Sequence, residues 1–344
     1  MRSRVKITDL AEELGVSPST ISRALSGDQR ISSKTRNAVF ELAERWGYNP
    51  NPFAINLLKN KSNNIGLILP EFTHHYFSRT LFGIEEEITK HGYHLLINTH
   101  NGNYEKEVKA SKILNGMMVD GLLVSYARHT TDFDHYKRIT ENGVPVVFFD
   151  RLCEDLEASY VITDDFPGAK SAIDYLVKTG CKKIAHFKGP ENLSTSFTRK
   201  TGYIEGLKRN ELPADESLVF PWNEDHDEYL TQMAAFMKEH QPDGVFCFSD
   251  YIAYDALITA QELNIKVPDE LSIIGFANEP ISNYSRPQIS TVSQPAEDMG
   301  KRAAEILIWH IDNPESEDTF DEMVPTELVL RQTTKKIEEE PQGE

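Results

Sequence analysis

Hydrophobic residues in the first fifty positions recur every three or four residues, which is the spacing of amphipathic helices. The first such segment ends at Gly15 and carries the stripe Ile7, Leu10, Ala11 and Leu14. The second covers residues 18–26, between Ser17 as N-cap and Gly27 as C-terminal cap. The third begins at Ser32 or Ser33 and ends before Gly47, with an apolar face of Thr35, Ala38, Val39, Leu42, Ala43 and Trp46. The pattern predicts a small α-helical domain over residues 1–50.

The second helix leaves small, polar and basic side chains on its outer face. Its Ile21, Ala24 and Leu25 share the opposite face, and only the tripeptide GVS separates it from the first helix, as in a helix-turn-helix. In that motif the N-terminal end of the second helix enters the major groove of DNA. We therefore predict DNA contacts from Ser17, Pro18, Ser19, Thr20, Ser22 and Arg23. On spacing alone, a small helical adaptor is the alternative.

Residues 51–62 combine a polar, basic linker with a helix-compatible run of about eight residues, which is too short to be stable alone in water. Leu57 and Leu58 lie at the centre of this run. They would suit an apolar wedge inserted between the base pairs of a minor groove. The segment is therefore either an ordinary linker or a hinge helix that folds on DNA.

Short apolar runs alternate with helical patterns in the rest of the chain. They cover residues 65–69, 93–97, 121–124, 144–149, 183–187, 217–220, 244–248 and 271–276. Unbroken apolar strands separated by helices predict parallel sheets that are covered on both faces. The motif VDGLLVS returns as PDGVFCFSD at a similar distance from the start of the second half, which indicates a duplicated unit. The predicted fold class is α/β, with two doubly wound parallel-sheet lobes preceded by an all-α helix-turn-helix domain.

The predicted boundaries divide the chain into five parts. Residues 1–50 form the helix-turn-helix domain, and residues 51–62 form the hinge helix and linker. The first lobe comprises residues 63–162 and 294–322, and the second comprises residues 163–293 and 323–332. Residues 333–344 end in KKIEEEPQGE and are expected to be a disordered acidic tail. Ligands of doubly wound lobes bind at the carboxyl ends of the strands, so candidate ligand residues are those that follow the predicted strands.

The charge of the chain is distributed unevenly. The formal net charge is −18 over 344 residues, yet residues 1–62 contain ten Lys and Arg against six Asp and Glu. A basic head on an acidic body is typical of a nucleic-acid-binding module whose body stays off the DNA, although a chance fluctuation would look the same. No apolar segment resembles a signal peptide or reaches membrane-spanning length, so a cytoplasmic protein without membrane partners is expected.

The sequence carries few marks of enzyme chemistry. It contains no GxGxxG after a strand, no Walker loop, no GxSxG and no HExxH. The three cysteines lack metal-ligand spacing, and His74 and His75 are adjacent and lack carboxylates at a suitable spacing. We expect no metal and no cofactor. A sugar-binding protein or an enzyme with the same two-lobed body is the alternative.

The run from Val5 to Leu58, VKITDLAEELGVSPSTISRALSGDQRISSKTRNAVFELAERWGYNPNPFAINLL, resembles the head of the LacI/GalR family of bacterial transcription regulators, and the resemblance continues along nearly the whole chain. It implies a periplasmic-binding-protein-like body, a palindromic DNA operator, a small-molecule effector and a homodimer or a pair of dimers. A repressor is favoured over an activator. By position, Pro18, Ser19 and Arg23 match base-reading residues, and the hinge contacts are assigned to Asn51, Ala54 and Leu57.

The same resemblance implies a set of effector-binding residues. The stretch GPENLSTSFTRKTGY resembles a family pattern in which a hydroxyl and an arginine hold the effector. The full set is Tyr76, Phe77, Asp150, Ser194, Thr195, Arg199, Phe246, Asp250 and Asn278. For Asp250 a helix cap, and for Phe246 a place in the core, are the alternatives.

The chain departs from the family pattern at two further positions, each adjacent to a residue of this set. Ala277 stands where relatives commonly have an aspartate, so either Asn278 or Glu279 turns into the cleft in its place or the effector offers no hydrogen-bond donor at that point. Leu193 stands where purine-binding members have an arginine, and a neutral or acidic sugar is therefore favoured over a purine.

Overall fold

The computed structural model describes residues 5–48, 61–153, 155–191 and 193–337. The chain divides into two compact units, residues 1–62 and residues 63–344. The predicted hinge contacts Asn51, Ala54 and Leu57 lie outside the described residues.

The described residues of the first unit form the helices α1 (Ile7–Glu13), α2 (Pro18–Leu25) and α3 (Ser33–Trp46). The Ser17 hydroxyl accepts a hydrogen bond from the backbone N–H of Thr20, which satisfies one of the exposed donors at the start of α2. Gly27 follows α2 with a φ of 78°, a conformation that glycine adopts without steric cost. The buried faces of the three helices meet in one small core that includes Leu10, Ile21 and Val39.

The second unit contains two six-stranded sheets. The first sheet has the order β11-β5-β4-β3-β1-β2 and is parallel throughout, with strands β1 (Asn64–Leu69), β2 (His94–Thr99), β3 (Gly121–Val124), β4 (Val146–Phe149), β5 (Tyr160–Asp164) and β11 (Asp321–Pro325). The second sheet has the order β12-β10-β9-β8-β6-β7, with strands β6 (Ile184–Phe187), β7 (Val219–Phe220), β8 (Gly244–Cys247), β9 (Ser272–Ala277), β10 (Ser290–Ser293) and β12 (Glu327–Val329). Only the pairing of β10 with β12 is antiparallel among these strands.

Helices cover both faces of the two sheets, so the predicted doubly wound fold is confirmed. They are α4 (His75–Lys90), α5 (Tyr104–Gly116), α6 (Asp134–Glu141), α7 (Asp165–Lys178), α8 (Ser194–Arg209), α9 (His226–His240), α10 (Asp250–Glu262), α11 (Pro280–Tyr284) and α12 (Ala296–Asp312), with a 3₁₀ turn at Glu216–Leu218. In the first lobe α4 and α12 pack at backbone contact. A Cβ on Gly83 would collide with the Glu297 carbonyl oxygen, and one on Gly300 would collide with that of Thr80.

The chain crosses between the two lobes three times, after β5, after β10 and between β11 and β12. Two of these crossings differ from the predicted boundaries. Strand β5 continues to Asp164 instead of ending at residue 162, and β11 runs through the boundary predicted after residue 322 as far as Pro325. Neither strand is an unbroken apolar run, since β5 reads YVITD and β11 reads DEMVP, so the apolar pattern does not reveal them.

The predicted disordered tail begins too early in the sequence. Thr333 and Thr334 are buried, and the Thr333 hydroxyl donates to the Ile273 carbonyl at 2.7 Å. Residues 338–344 lie outside the described part of the chain.

None of the described helices is long and apolar enough to cross a membrane. Within the same residues, no group of three or more His, Cys, Asp or Glu side chains is placed to hold a metal ion.

Candidate ligand cleft and nucleic-acid interface

The outer face of α2 is accessible and carries one unpaired positive charge. Pro18, Ser19 and Arg23 are exposed, while Ser22 and Thr20 are half-buried. The Ser17 hydroxyl lies 2.8 Å from that of Ser19 and 2.9 Å from that of Thr20, so three hydroxyls cluster at the N-terminus of the helix. Among the described residues, no carboxylate lies within ion-pair distance of Arg23. This face presents hydrogen-bonding groups and a cation that phosphate or a base edge can pair with.

A cavity of about 700 Å³ lies where the carboxyl ends of the two sheets face each other. The Phe, Tyr and Trp side chains that line it are Tyr76, Phe77, Trp222, Tyr229, Phe248, Tyr251 and Tyr254. Polar groups from both lobes complete the wall, among them Asn101, Asp150, Thr195 and Arg199. Aromatic faces with a few convergent polar groups are the usual composition of a small-molecule site.

Arg199 reaches the cleft from α8 but its charge is already compensated. Its Nε and Nη2 both lie 2.8 Å from Oδ2 of Asp165, and its Nη1 donates to the Phe248 carbonyl at 2.6 Å. The guanidinium lies over the Phe276 ring, 3.8 Å from the ring centroid. Gln294 donates to the other oxygen of Asp165 at 3.0 Å. The network holds Arg199 rigidly and leaves little net charge for a ligand.

Asp150 follows β4 at the base of the cleft in the first lobe. Its Oδ2 accepts a hydrogen bond from the Ser125 hydroxyl at 3.0 Å and lies 3.3 Å from Nε of Arg151. Burial raises the pKa of the Asp150 carboxyl, an effect that the neighbouring Arg151 opposes. Tyr76 lies beside it, and burial raises the pKa of the Tyr76 phenol well above its usual range. The pair offers a carboxyl acceptor beside a neutral phenol.

The chain at the end of β9 brings Glu279 to the cleft and leaves Asn278 outside it. Ala277 has a φ of 99° and Asn278 a φ of 55°, two successive positive values that turn the chain sharply. Asn278 points away from the cleft, where its side chain accepts from Arg331 at 2.6 Å and donates to Ser293 at 3.2 Å. Glu279 turns inward and lines the cleft.

Five of the nine predicted effector residues line the cleft, namely Tyr76, Phe77, Asp150, Thr195 and Arg199. The other four do not. Phe246 is fully buried in the core, where its ring stacks on His186, and Asn278 is held by Arg331. Ser194 is exposed at the start of α8, outside the cleft wall.

The fourth, Asp250, is buried beneath the cleft. Its Oδ2 accepts the backbone N–H of Glu279 at 2.6 Å, and its Oδ1 has no hydrogen-bond donor among the described residues. Burial raises the pKa of this carboxyl to about 7. Asp250 therefore holds the backbone at Glu279 from beneath the cleft and does not line the cleft itself.

Several cleft residues are absent from the predicted set, including Asn101, Arg128 and Trp222. Each follows a strand that the sequence did reveal, since Asn101 comes two residues after β2 and Trp222 two residues after β7. The rule that ligand residues follow strand ends would have found them if applied to every strand. Asp165, by contrast, follows β5, which the apolar pattern does not reveal.

Comparison with known proteins relates both parts of the chain to one group of proteins. A family model described as "Bacterial regulatory proteins, lacI family" matches residues 6–51, and one described as "Periplasmic binding protein-like domain" matches residues 173–334. The ribose operon repressor of Halalkalibacterium halodurans is 30% identical over 330 residues, which are 96% of this chain and 97% of that protein.

Solved structures share the fold over nearly the whole chain, among them the following two. A complex of the transcriptional regulator CelR with cellobiose is 25% identical, with a TM-score of 0.72, and the match covers 96% of this chain and 100% of that one. The lac repressor dimer bound to operator and the anti-inducer ONPF is 22% identical, with a TM-score of 0.83, and the match covers 96% and 99%. The second likeness concerns the fold alone.

Proposed function

The chain belongs to the lacI family of bacterial regulatory proteins, and from that premise we propose that it is a DNA-binding repressor controlled by a neutral sugar bound between its lobes. The observation that carries the proposal is the combination, in one chain, of an exposed basic helix in the head and an aromatic cleft in the body. It acts in the cytoplasm as a homodimer on a palindromic operator, each head reading one half-site. The lac repressor dimer bound to operator has the same fold.

The charges of the cleft favour an uncharged ligand. Its three arginines each lie near a carboxylate: Arg199 at 2.8 Å from Asp165, Arg151 at 3.3 Å from Asp150 and Arg128 at 3.9 Å from Glu224. A phosphate or an acidic sugar would compete with these pairs, whereas a neutral sugar can donate hydrogen bonds from its hydroxyls to the carboxylates and stack the C–H faces of its ring on the aromatic rings. The sequence-based expectation of a neutral or acidic sugar thus narrows to a neutral one. CelR, which has the same fold, binds cellobiose.

Ligand and DNA are coupled through the angle between the lobes in this proposal. A ligand that binds one lobe arrangement more tightly shifts the population toward it. The heads of the dimer then change their fit to the two half-sites. By linkage, the ligand changes DNA affinity by the same factor as DNA changes ligand affinity.

Arg23→Ala is expected to weaken binding to the specific DNA site by about 1–3 kcal/mol, since a good base contact contributes that much discrimination. The site is first selected by the wild-type protein from random palindromic duplexes, and affinity is then measured by fluorescence anisotropy. Arg45→Ala removes the same charge from α3 and should weaken selected and scrambled duplexes alike. If the Arg23→Ala protein prefers the selected duplex as strongly as the wild type does, α2 is not the helix that reads the base sequence.

A neutral sugar that fits the cleft is expected to raise the unfolding temperature, because a ligand at 100 times its Kd adds about 2.7 kcal/mol to stability. Thermal shifts should be compared within matched pairs, such as D-ribose with ribose 5-phosphate and cellobiose with cellobionate, with adenosine as the purine-containing probe. We expect stabilisation by neutral members only. Stronger stabilisation by the charged member of a pair would contradict the neutral-ligand proposal.

A further inference from the structure

A carboxylate of the second lobe binds the start of a helix in the first lobe. Glu279 follows β9 and is 4% exposed. Its Oε2 accepts the backbone N–H of His75, and its Oε1 accepts that of Tyr76, both at 3.2 Å. These are the first two N–H groups of α4.

Helix α4 lacks a cap from its own lobe. The first N–H groups of any helix have no acceptor within the helix, and its N-terminus carries partial positive charge. The N-cap residue His74 makes no side-chain capping hydrogen bond, and its imidazole instead lies 3.0 Å from Glu71. Glu279 therefore supplies to α4, from the other lobe, both the acceptors and the negative charge that a local cap would give.

Glu279 is held in place for this role. Its backbone N–H donates to Asp250 at 2.6 Å, beneath the cleft. The preceding Asn278 is fixed by Arg331 and Ser293. Because the backbone of Glu279 is already anchored, its carboxylate loses less freedom when it binds α4.

The other contacts across the cleft opening are weaker. Arg128 and Glu224 lie 3.9 Å apart with side chains 34% and 80% exposed, so solvent screens their attraction. The rings of His74 and Tyr251 meet edge to face at 5.5 Å, and Tyr251 is 41% exposed. Of these contacts, only that of Glu279 includes a buried hydrogen bond, the one from the Tyr76 N–H.

We propose that Glu279 is a latch that holds the two lobes closed by capping α4 across the cleft. Opening the lobes withdraws the carboxylate, leaving two helix N–H groups without their acceptor. The latch sets the fraction of molecules whose lobes are closed before any ligand binds. The apparent affinity of every ligand that binds the closed form changes in proportion to that fraction. The latch regulates the site of the proposed function, but its test uses no ligand and no DNA, so its outcome is independent of theirs.

The test measures hydrogen–deuterium exchange of the His75 and Tyr76 amides in the full-length protein, with residue-level resolution. In the wild type both amides should be protected, although the first amides of a helix ordinarily exchange freely. Glu279→Ala should speed their exchange by roughly tenfold to a hundredfold, the range for losing a hydrogen bond to a charged group. Glu279→Gln keeps the size of the side chain and one acceptor, and should give an intermediate rate. Small-angle scattering should show a larger radius of gyration for the alanine variant.

Glu224→Ala is the matched control, since it removes a carboxylate that lines the same cleft without touching α4. It should leave the exchange of both amides unchanged. Unchanged exchange in both Glu279 variants would overturn the latch. So would equal acceleration by Glu224→Ala, or faster exchange in Glu279→Ala without any expansion, which would make Glu279 a cap that does not hold the lobes together. Should Glu279→Ala fail to fold, Glu279→Gln alone decides by the same exchange and scattering readouts.

Discussion

Arg199→Ala is expected to lower the free energy of unfolding by about 3–5 kcal/mol, because removing one partner of a buried ion pair leaves the other charge uncompensated. The side chains of Arg199 and Asp165 are 6% and 2% exposed. Asp165 would retain hydrogen bonds from Thr163 and Gln294, which are neutral donors. The variant would also lose the stacking of the guanidinium on Phe276.

Urea denaturation with two further variants tests this explanation. Arg209→Ala removes an arginine from the same helix that is 63% exposed and 3.5 Å from Asp174, and it should cost less than about 1 kcal/mol. Arg199→Met combined with Asp165→Asn removes both charges together and should recover much of the lost stability. If Arg199→Ala lowers the free energy of unfolding no more than Arg209→Ala does, Arg199 does not stabilise the ionised carboxylate of Asp165.

Asp250→Asn is expected to raise stability progressively as the pH increases from 5 to 7. Burial raises the pKa of the Asp250 carboxyl from 3.8 to about 7. Between those values the folded protein holds a proton that the unfolded chain releases, so the wild type loses stability as the pH rises through this window. The total loss is on the order of 4 kcal/mol, and the uncharged amide avoids it. Below the window the two side chains are both neutral and should behave alike.

The measurement is the difference in unfolding free energy between variant and wild type at several pH values. It should grow by about 1.4 kcal/mol per pH unit up to pH 7 and then level off. Asp269→Asn, at an exposed position, is the control and should show no such slope. Parallel pH curves for Asp250→Asn and the wild type would mean that the buried carboxyl is ionised throughout.

Local chemistry explains why the head was predictable. Its helix boundaries depend on caps and glycines that act within a few residues, and Gly15, Gly27 and Gly47 all adopt positive φ values at the predicted ends. The strands that the apolar pattern missed depend instead on contacts with residues far away in the sequence. Strand β10 is buried although its sequence is STVS, because Ser290 hydrogen-bonds to Thr333 and Thr334. Such a strand is stabilised by distant partners that no local pattern reveals.

In the cleft, too, some features could be predicted from the sequence and others depend on distant contacts. The strand-end rule marked the segments that contain Asp150, Thr195 and Arg199, the family resemblance picked out these residues, and all three line the cleft. Neither the rule nor the resemblance could show that Arg199 is neutralised by Asp165, 34 residues away, or that Glu279 caps a helix about 200 residues earlier. These pairings depend on side-chain directions, and they decide which charges a ligand meets.

The three crossings between the lobes limit how the cleft can open. The crossing strands lie side by side, because β5 pairs with β11 at the edge of one sheet and β10 pairs with β12 at the edge of the other. Three adjacent connections favour a hinge rotation of one lobe against the other over sliding. In the first sheet β2 is the strand farthest from this hinge, about 20 Å from β5 at the usual strand spacing. A rotation of about 10° would then move β2 by roughly 3–4 Å, given that lever arm. A small change of angle at the ligand is thereby converted into a large displacement at the outer edge of the lobe.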